Sequence, residues 1–104
     1  MQNISIEYRK GILFIRIKRR IDNEIFDEFI KYLTDYIGIK IIVLNISNLT
    51  YLSLEDIKHI IKYKKQILKK KTTLIICDNK KEHRNIFFKE IFRINNELDA
   101  FSLI

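Results

Sequence analysis

Glycine is scarce in this chain: Gly11 and Gly38 are the only two in 104 residues. Neither a P-loop nor a dinucleotide fingerprint can be written with them, because each needs several glycines in one short stretch. Cysteine is scarcer still. Cys77 alone cannot close an internal disulfide, and with only His59 and His83 to join it the chain lacks the usual four-ligand zinc set. No structural metal and no secreted staple are expected. Long hydrophobic runs are missing as well. The longest, such as Ile41 to Leu44 and Leu74 to Cys77, are four residues, against the roughly 20 that a membrane span needs. Neither a membrane-inserted segment nor a signal peptide is expected, and the cytoplasm is the expected compartment. Proline is absent, and no linker, repeat or low-complexity tail divides the chain. Residues 1–104 therefore read as one domain, of a size that buries roughly 65% of the surface its unfolded form exposes.

Apolar residues supply 47% of the chain and charged ones 32%, well clear of the low-hydrophobicity composition that leaves a segment disordered. Ile occurs 23 times, Lys 14 times and Asn 8 times, whereas Ala and Val occur once each. This bias is that of an AT-rich coding sequence, so neither Ile nor Lys abundance carries its full face value. Charge is uneven. Residues 1–56 hold 8 basic and 8 acidic side chains, residues 57–93 hold 12 and 3, and residues 94–104 hold 0 and 2, so the +7 excess lies in the second half. Much of it is Lys58, Lys62, Lys64, Lys65, Lys69, Lys70 and Lys71, in a segment of helical period whose cations gather toward the negative end of the helix dipole. Aromatic interleaving is limited to Tyr63, where stacking on bases would want more, so no specific nucleic-acid partner is expected.

Local patterning sets the element order. Ile4, Ile6 and Tyr8 alternate up to Arg9, and Ile12 to Lys18 follows after Lys10-Gly11, which predicts a hairpin. From Asp22 the period changes: Ile25, Phe26, Phe29, Ile30, Leu33 and Ile37 recur at three and four residues behind the acids Glu24, Asp27 and Glu28. This predicts a helix from Asp22 to Gly38. Ile39 to Ile46 reads as a strand buried on both faces. Asn45, Ser47, Asn48 and Thr50 form a polar connection. A second helix then opens with Ser53 as N-cap and Asp56 three residues on, carrying Leu54, Ile57, Ile60, Ile61, Ile67 and Leu68. Thr72 to Cys77 reads as another buried strand, Glu82 to Phe92 as a third helix and Ala100 to Ile104 as a short closing strand. The Phe87, Ile91 and Ile94 stripe is assigned to the core and no cofactor is expected. The expected fold class is α/β, an open mixed sheet with an N-terminal β-hairpin and the order β-β-α-β-α-β-α-β.

Arg20-Ile21-Asp22 ahead of the first helix, and Ile41-Ile42-Val43-Leu44-Asn45-Ile46-Ser47-Asn48-Leu49-Thr50-Tyr51-Leu52, resemble the STAS domain family, which includes the bacterial anti-sigma factor antagonists. The second stretch looks like that family's central strand and the loop leading to its signature, and Lys62 to Cys77 also fits. The resemblance implies a STAS-like mixed sheet and a protein partner of the anti-sigma factor or serine-kinase type, in a role regulating transcription. In antagonists of the family the signature at the start of the second helix is Asp, Ser, Ser or Thr, then Gly, and the second hydroxyl is phosphorylated. Here the matching residues are Ser53, Leu54, Glu55 and Asp56. Glu55 occupies the acceptor position and cannot be phosphorylated by a serine kinase. Asp22 matches the family's acidic residue near the same loop.

Two accounts of Glu55 stand at this point. Either its charge imitates the phosphorylated state in part, since phosphate carries about 1.5 to 2 charges, or it is a first-turn acid worth about 0.3 to 1 kcal/mol at the helix dipole. Because the resemblance implies that the phosphorylated form releases its partner, constitutive binding fits better than a phosphoswitch. No catalytic residue is expected. Ser53 and His59, six residues apart on one helix, point to different sides, and His83 sits in a charged, exposed-looking tract. Cys77 ends a buried strand. The expected partner surface is Asn48, Thr50, Tyr51, Ser53, Leu54 and Glu55, with Asp22 beside it. Two further readings remain: a constitutive subunit of a larger transporter or sensory complex, and a nucleic-acid-binding domain using the Lys-rich second helix.

Overall fold

The computed structural model describes residues 4–21, 38–49, 51–69, 71–80 and 91–104. Its first element is a hairpin, β1 (Ile4–Arg9) and β2 (Ile12–Ile17), paired antiparallel with Arg9 opposite Ile12. The two residues between them, Lys10 and Gly11, both have positive φ, 53° and 84°. A two-residue turn of that hand matches the right-handed twist of the strands it joins. Gly11 is suited to it; an added Cβ there would stand 3.3 Å from the Gly38 carbonyl.

Three parallel strands follow on the far side of β2, namely β3 (Ile41–Asn45), β4 (Thr73–Cys77) and β5 (Arg93–Ile94). The sheet order is β1-β2-β3-β4-β5, with β1 and the two-residue β5 at its edges. Strands β2, β3 and β4 are buried almost throughout, which is why they read as nearly continuous apolar runs rather than as alternation. Register places Arg16, Asn45, Cys77 and Ile94 in one row across four strands.

The sheet packs on both faces. Leu13, Ile15, Ile17, Ile42, Leu44, Leu74 and Ile76 form one face, packed with Ile60, Tyr63 and Ile67 of helix α1 (Leu54–Leu68). On the other, Ile12, Phe14, Ile41, Val43, Ile75, Cys77 and Ile94 cluster with Ala100 and Phe101 of a C-terminal 3₁₀ helix (Glu97–Leu103). Buried residues at positions 60, 63 and 67 form the i, i+3, i+7 stripe of an amphipathic helix. Helix α1 opens with a full capping box: Asp56 N donates to Ser53 Oγ (3.0 Å) and Ser53 N to Asp56 Oδ2 (3.1 Å). Lys71, with φ 63°, lies between the helix end and β4.

These elements correct the expected order. The described residues form five strands and two helices, arranged β-β-β-α-β-β-3₁₀, and they end on a 3₁₀ helix rather than on the expected closing strand. Ala100 to Ile104 is not a strand; residues up to Leu103 belong to the 3₁₀ helix, and the last strand is Arg93–Ile94. The cause is a capping signal. Asn96 accepts from Asp99 N at 3.2 Å, with the acids Glu97 and Asp99 in the first turn, and that arrangement favours helical over extended backbone. Ile91 and Phe92, expected to close the third helix, lie outside any helix. The rest of that helix, residues 82–90, and the first helix, residues 22–37, lie outside the described residues.

Candidate functional site

The carboxyl ends of β3 and β4 open onto the residues singled out by sequence, the side on which open α/β sheets place their ligands. The loop leaving β3 is held close to the sheet. Ile46 N donates to the Cys77 carbonyl (3.0 Å), extending the ladder by one bond, and Ser47 N donates to Asn45 Oδ1 (2.9 Å), an Asx turn. Leu49 N then turns back to the Ile46 carbonyl (3.0 Å), and Ile46 and Leu49 are both buried. The loop leaving β4 fastens this one. Lys80 Nζ donates to the Leu49 carbonyl while Lys80 N donates to Asp78 Oδ1 (3.0 Å). Asp78 is fully buried.

Anchored by its apolar residues, the loop and the first turn of α1 present the others to solvent. Tyr51 and Leu54 are each 77% exposed, and Asn48 and Glu55 are exposed as well. Ser53 is half-buried and its hydroxyl is engaged as the helix cap. Thr50 and Asp22 lie outside the described residues. His59 Nδ1 donates to the Glu55 carbonyl one turn back (2.8 Å), so its ring is tied to its own helix and not to Ser53. The patch thus combines an exposed aromatic ring, an exposed aliphatic chain and a carboxylate on a firmly seated turn. Such a combination suits contact with another protein, where aromatic anchors carry much of the binding.

A second polar group, not anticipated from sequence, lies on the opposite face of the sheet. Arg16 donates to Glu97 through two nitrogens, Nε to Oε2 (2.8 Å) and Nη2 to Oε1 (2.7 Å), and also to Glu7 Oε1 (2.9 Å). Asn45 Nδ2 adds a bond to Glu97 Oε2 (2.7 Å). The hydrogen bonds from Arg16 hold the Glu97 carboxyl below its usual range, and Glu97 in turn raises the Arg16 guanidinium. Nearby, burial pushes the Cys77 thiol up to about 11, reinforced by the charge of Glu97. The one local hint of this group is an arginine interrupting the apolar run of β2. Its partner stands 81 residues away, and only strand register brings them together. Bidentate geometry makes the pair a fastening for the 3₁₀ helix.

Among the described residues, no group of three or more His, Cys, Asp or Glu side chains could hold a metal ion. No helix among them is long and apolar enough to cross a membrane.

The architecture is shared with solved structures of low sequence identity. The anti-sigma factor antagonist SpoIIAA in its unphosphorylated form superposes with a TM-score of 0.76 at 13% identity, over 96% of each chain. The Bacillus cell fate determinant SpoIIAA in its phosphorylated form gives a TM-score of 0.70 at 12% identity, over 96% of this chain and 97% of that one. The murine anion transporter Slc26a9, in its inward-facing state, gives 0.69 at 15% identity over 93% of this chain and 18% of the transporter. No curated protein sequence matches. The STAS domain family matches residues 3–101, and with nearly the whole sequence covered, the chain belongs to the STAS domain family.

Proposed function

We propose that this STAS domain is a non-catalytic protein-binding module that regulates a partner of the anti-sigma factor or serine-kinase type, through the exposed turn at the start of α1. The observation that carries this reading is the chemistry of that turn. Glu55 stands exposed where antagonists of the family carry a phosphorylated hydroxyl, and the hydroxyl of Ser53, within residues 53–56, is committed to the cap. Binding there is constitutive, with no phosphate added at the usual position. Likeness to an anti-sigma factor antagonist supports the partner class. The likeness to part of an anion transporter supports a second reading, a constitutive STAS subunit of a larger transporter or sensory complex.

Glu55→Lys tests the surface. Reversing one exposed first-turn charge should cost about 0.5 to 2 kcal/mol at the helix dipole, leaving a domain of ordinary stability folded. Affinity for the partner recovered from the native host should fall at least tenfold, about 1.4 kcal/mol. Melting and titration are run on the same sample, and the wild-type complex given ATP should gain no phosphate at residues 53–56. Unchanged affinity in a folded variant, or stoichiometric phosphoserine at Ser53, overturns the reading.

A further inference from the structure

The outer face of α1 carries a pattern that neither the core nor the cap uses. Lys58, Lys62, Lys65 and Lys69 are spaced by four, three and four residues, which at about 100° per residue sets them in one row down the solvent side. All four are exposed, and none is paired with an acid among the described residues. From Lys58 to Lys69 the row runs about 17 Å. Along its flank stand Leu54 and Leu68, 77% and 59% exposed, two turns either side of Ile61, which is half-buried and packs against the core. The helix dipole accounts for cations in the last turn but not for Lys58 and Lys62.

We propose that this face of α1 docks on an anionic lipid bilayer, with the lysines at the headgroup phosphates and the exposed leucines at the acyl boundary. Both the lysine row and the leucines are then used. Duplex phosphates would satisfy the lysines and leave the leucines in water, while an apolar protein groove would do the reverse. An anionic membrane surface offers negative charge with hydrocarbon just beneath it, over a flat area that a straight row can follow. Glu55 stands at the N-terminal end of the helix, so repulsion keeps Leu54 shallower than Leu68, and the turn holding Leu68 and Lys69 sits deepest. Contact of this kind is peripheral and needs no spanning segment.

Sedimentation with vesicles tests it, using phosphatidylcholine alone and phosphatidylcholine with about one-third phosphatidylglycerol, each at low and physiological salt. The protein should bind the anionic vesicles and not the neutral ones, with binding weakened by salt. Each lysine removed from the row should weaken binding about fivefold, so Lys62→Gln with Lys65→Gln should lose about 25-fold. Lys10→Gln with Lys40→Gln makes the same change in net charge away from the row and should leave affinity within about twofold. Leu68→Ser should weaken binding without altering its salt dependence. These positions are exposed, and melting checks that each variant is folded. Equal binding to neutral vesicles overturns the proposal, as does an equal loss in the off-row variant. Tighter binding to duplex DNA or to a poly-glutamate peptide at the same salt also overturns it, in favour of a nucleic-acid or an acidic protein partner respectively.

Discussion

At the scale of single residues, charge and hydroxyl placement decide what the two polar regions do. Ser53 and Asp56 satisfy each other's backbone donors, so the serine that lies nearest the family's acceptor position is a structural group. Glu97 works differently, because its carboxylate is held in the charged form by Arg16 and Asn45. A group whose pKa is depressed on folding adds stability that is fully present above its unfolded value and is lost as pH falls through the folded one. The domain should therefore weaken as pH drops below about 4.5, the ordinary value for this carboxyl. Glu97→Gln should cost about 1 to 2 kcal/mol near neutrality, less than a fully buried pair because both partners retain some exposure. It should also flatten that acid slope. Urea unfolding of both proteins between pH 3 and 7 checks this, and a slope unchanged by the substitution would assign the acid sensitivity elsewhere.

At the scale of elements, most of what could be read locally is local in its physics. The hairpin is written in the alternation of Ile4, Ile6 and Tyr8 and in a turn whose two residues take positive φ. Helix α1 is written in its capping box, and Ser53→Ala should cost about 1 kcal/mol, a fall in melting temperature of about 4 to 8 °C for a domain of this size. A shift under about 1 °C would mean that the first turn is held by its packing alone. Strands β3 and β4 are legible as apolar runs, although their first residues lie one or two positions later than expected. The C-terminal segment is where local reading fails. Ala100, Phe101 and Ile104 look extended by hydropathy, whereas the cap at Asn96 commits the backbone to a 3₁₀ turn that lays Ala100 on the sheet. Strand β5, at two residues, is too short for any periodic signal. Of the candidate site, the polar loop and the Ser53 cap could be placed from sequence. The fastening of Leu49 by Lys80, and of Arg16 by Glu97, could not, because each depends on how separate loops and strands come to lie side by side.

At the scale of the whole molecule, the sheet separates two apolar clusters, and Cys77 lies in the one roofed by the 3₁₀ helix. Its thiol is buried and raised to about 11, so at pH 8 only about one molecule in a thousand carries the reactive thiolate, and that one is shielded. Iodoacetamide at pH 8 should leave the folded protein unmodified for hours and label it within minutes in denaturant, a difference that mass spectrometry reads directly. Rapid labelling under native conditions would show that the 3₁₀ roof opens far more easily than its bidentate clasp implies. The sheet is also lopsided at its margins. Strand β1 leaves six residues of backbone at one edge, and β5 offers two at the other. An open strand edge is a template for joining copies, but unlimited growth needs two usable margins, one to receive and one to offer. Here two molecules can meet β1 to β1 in antiparallel fashion, and that encounter consumes both long margins and closes on a two-fold axis. Among the described strands, edge-wise joining would thus stop at a pair, because no second long margin is offered on which a fibre could grow.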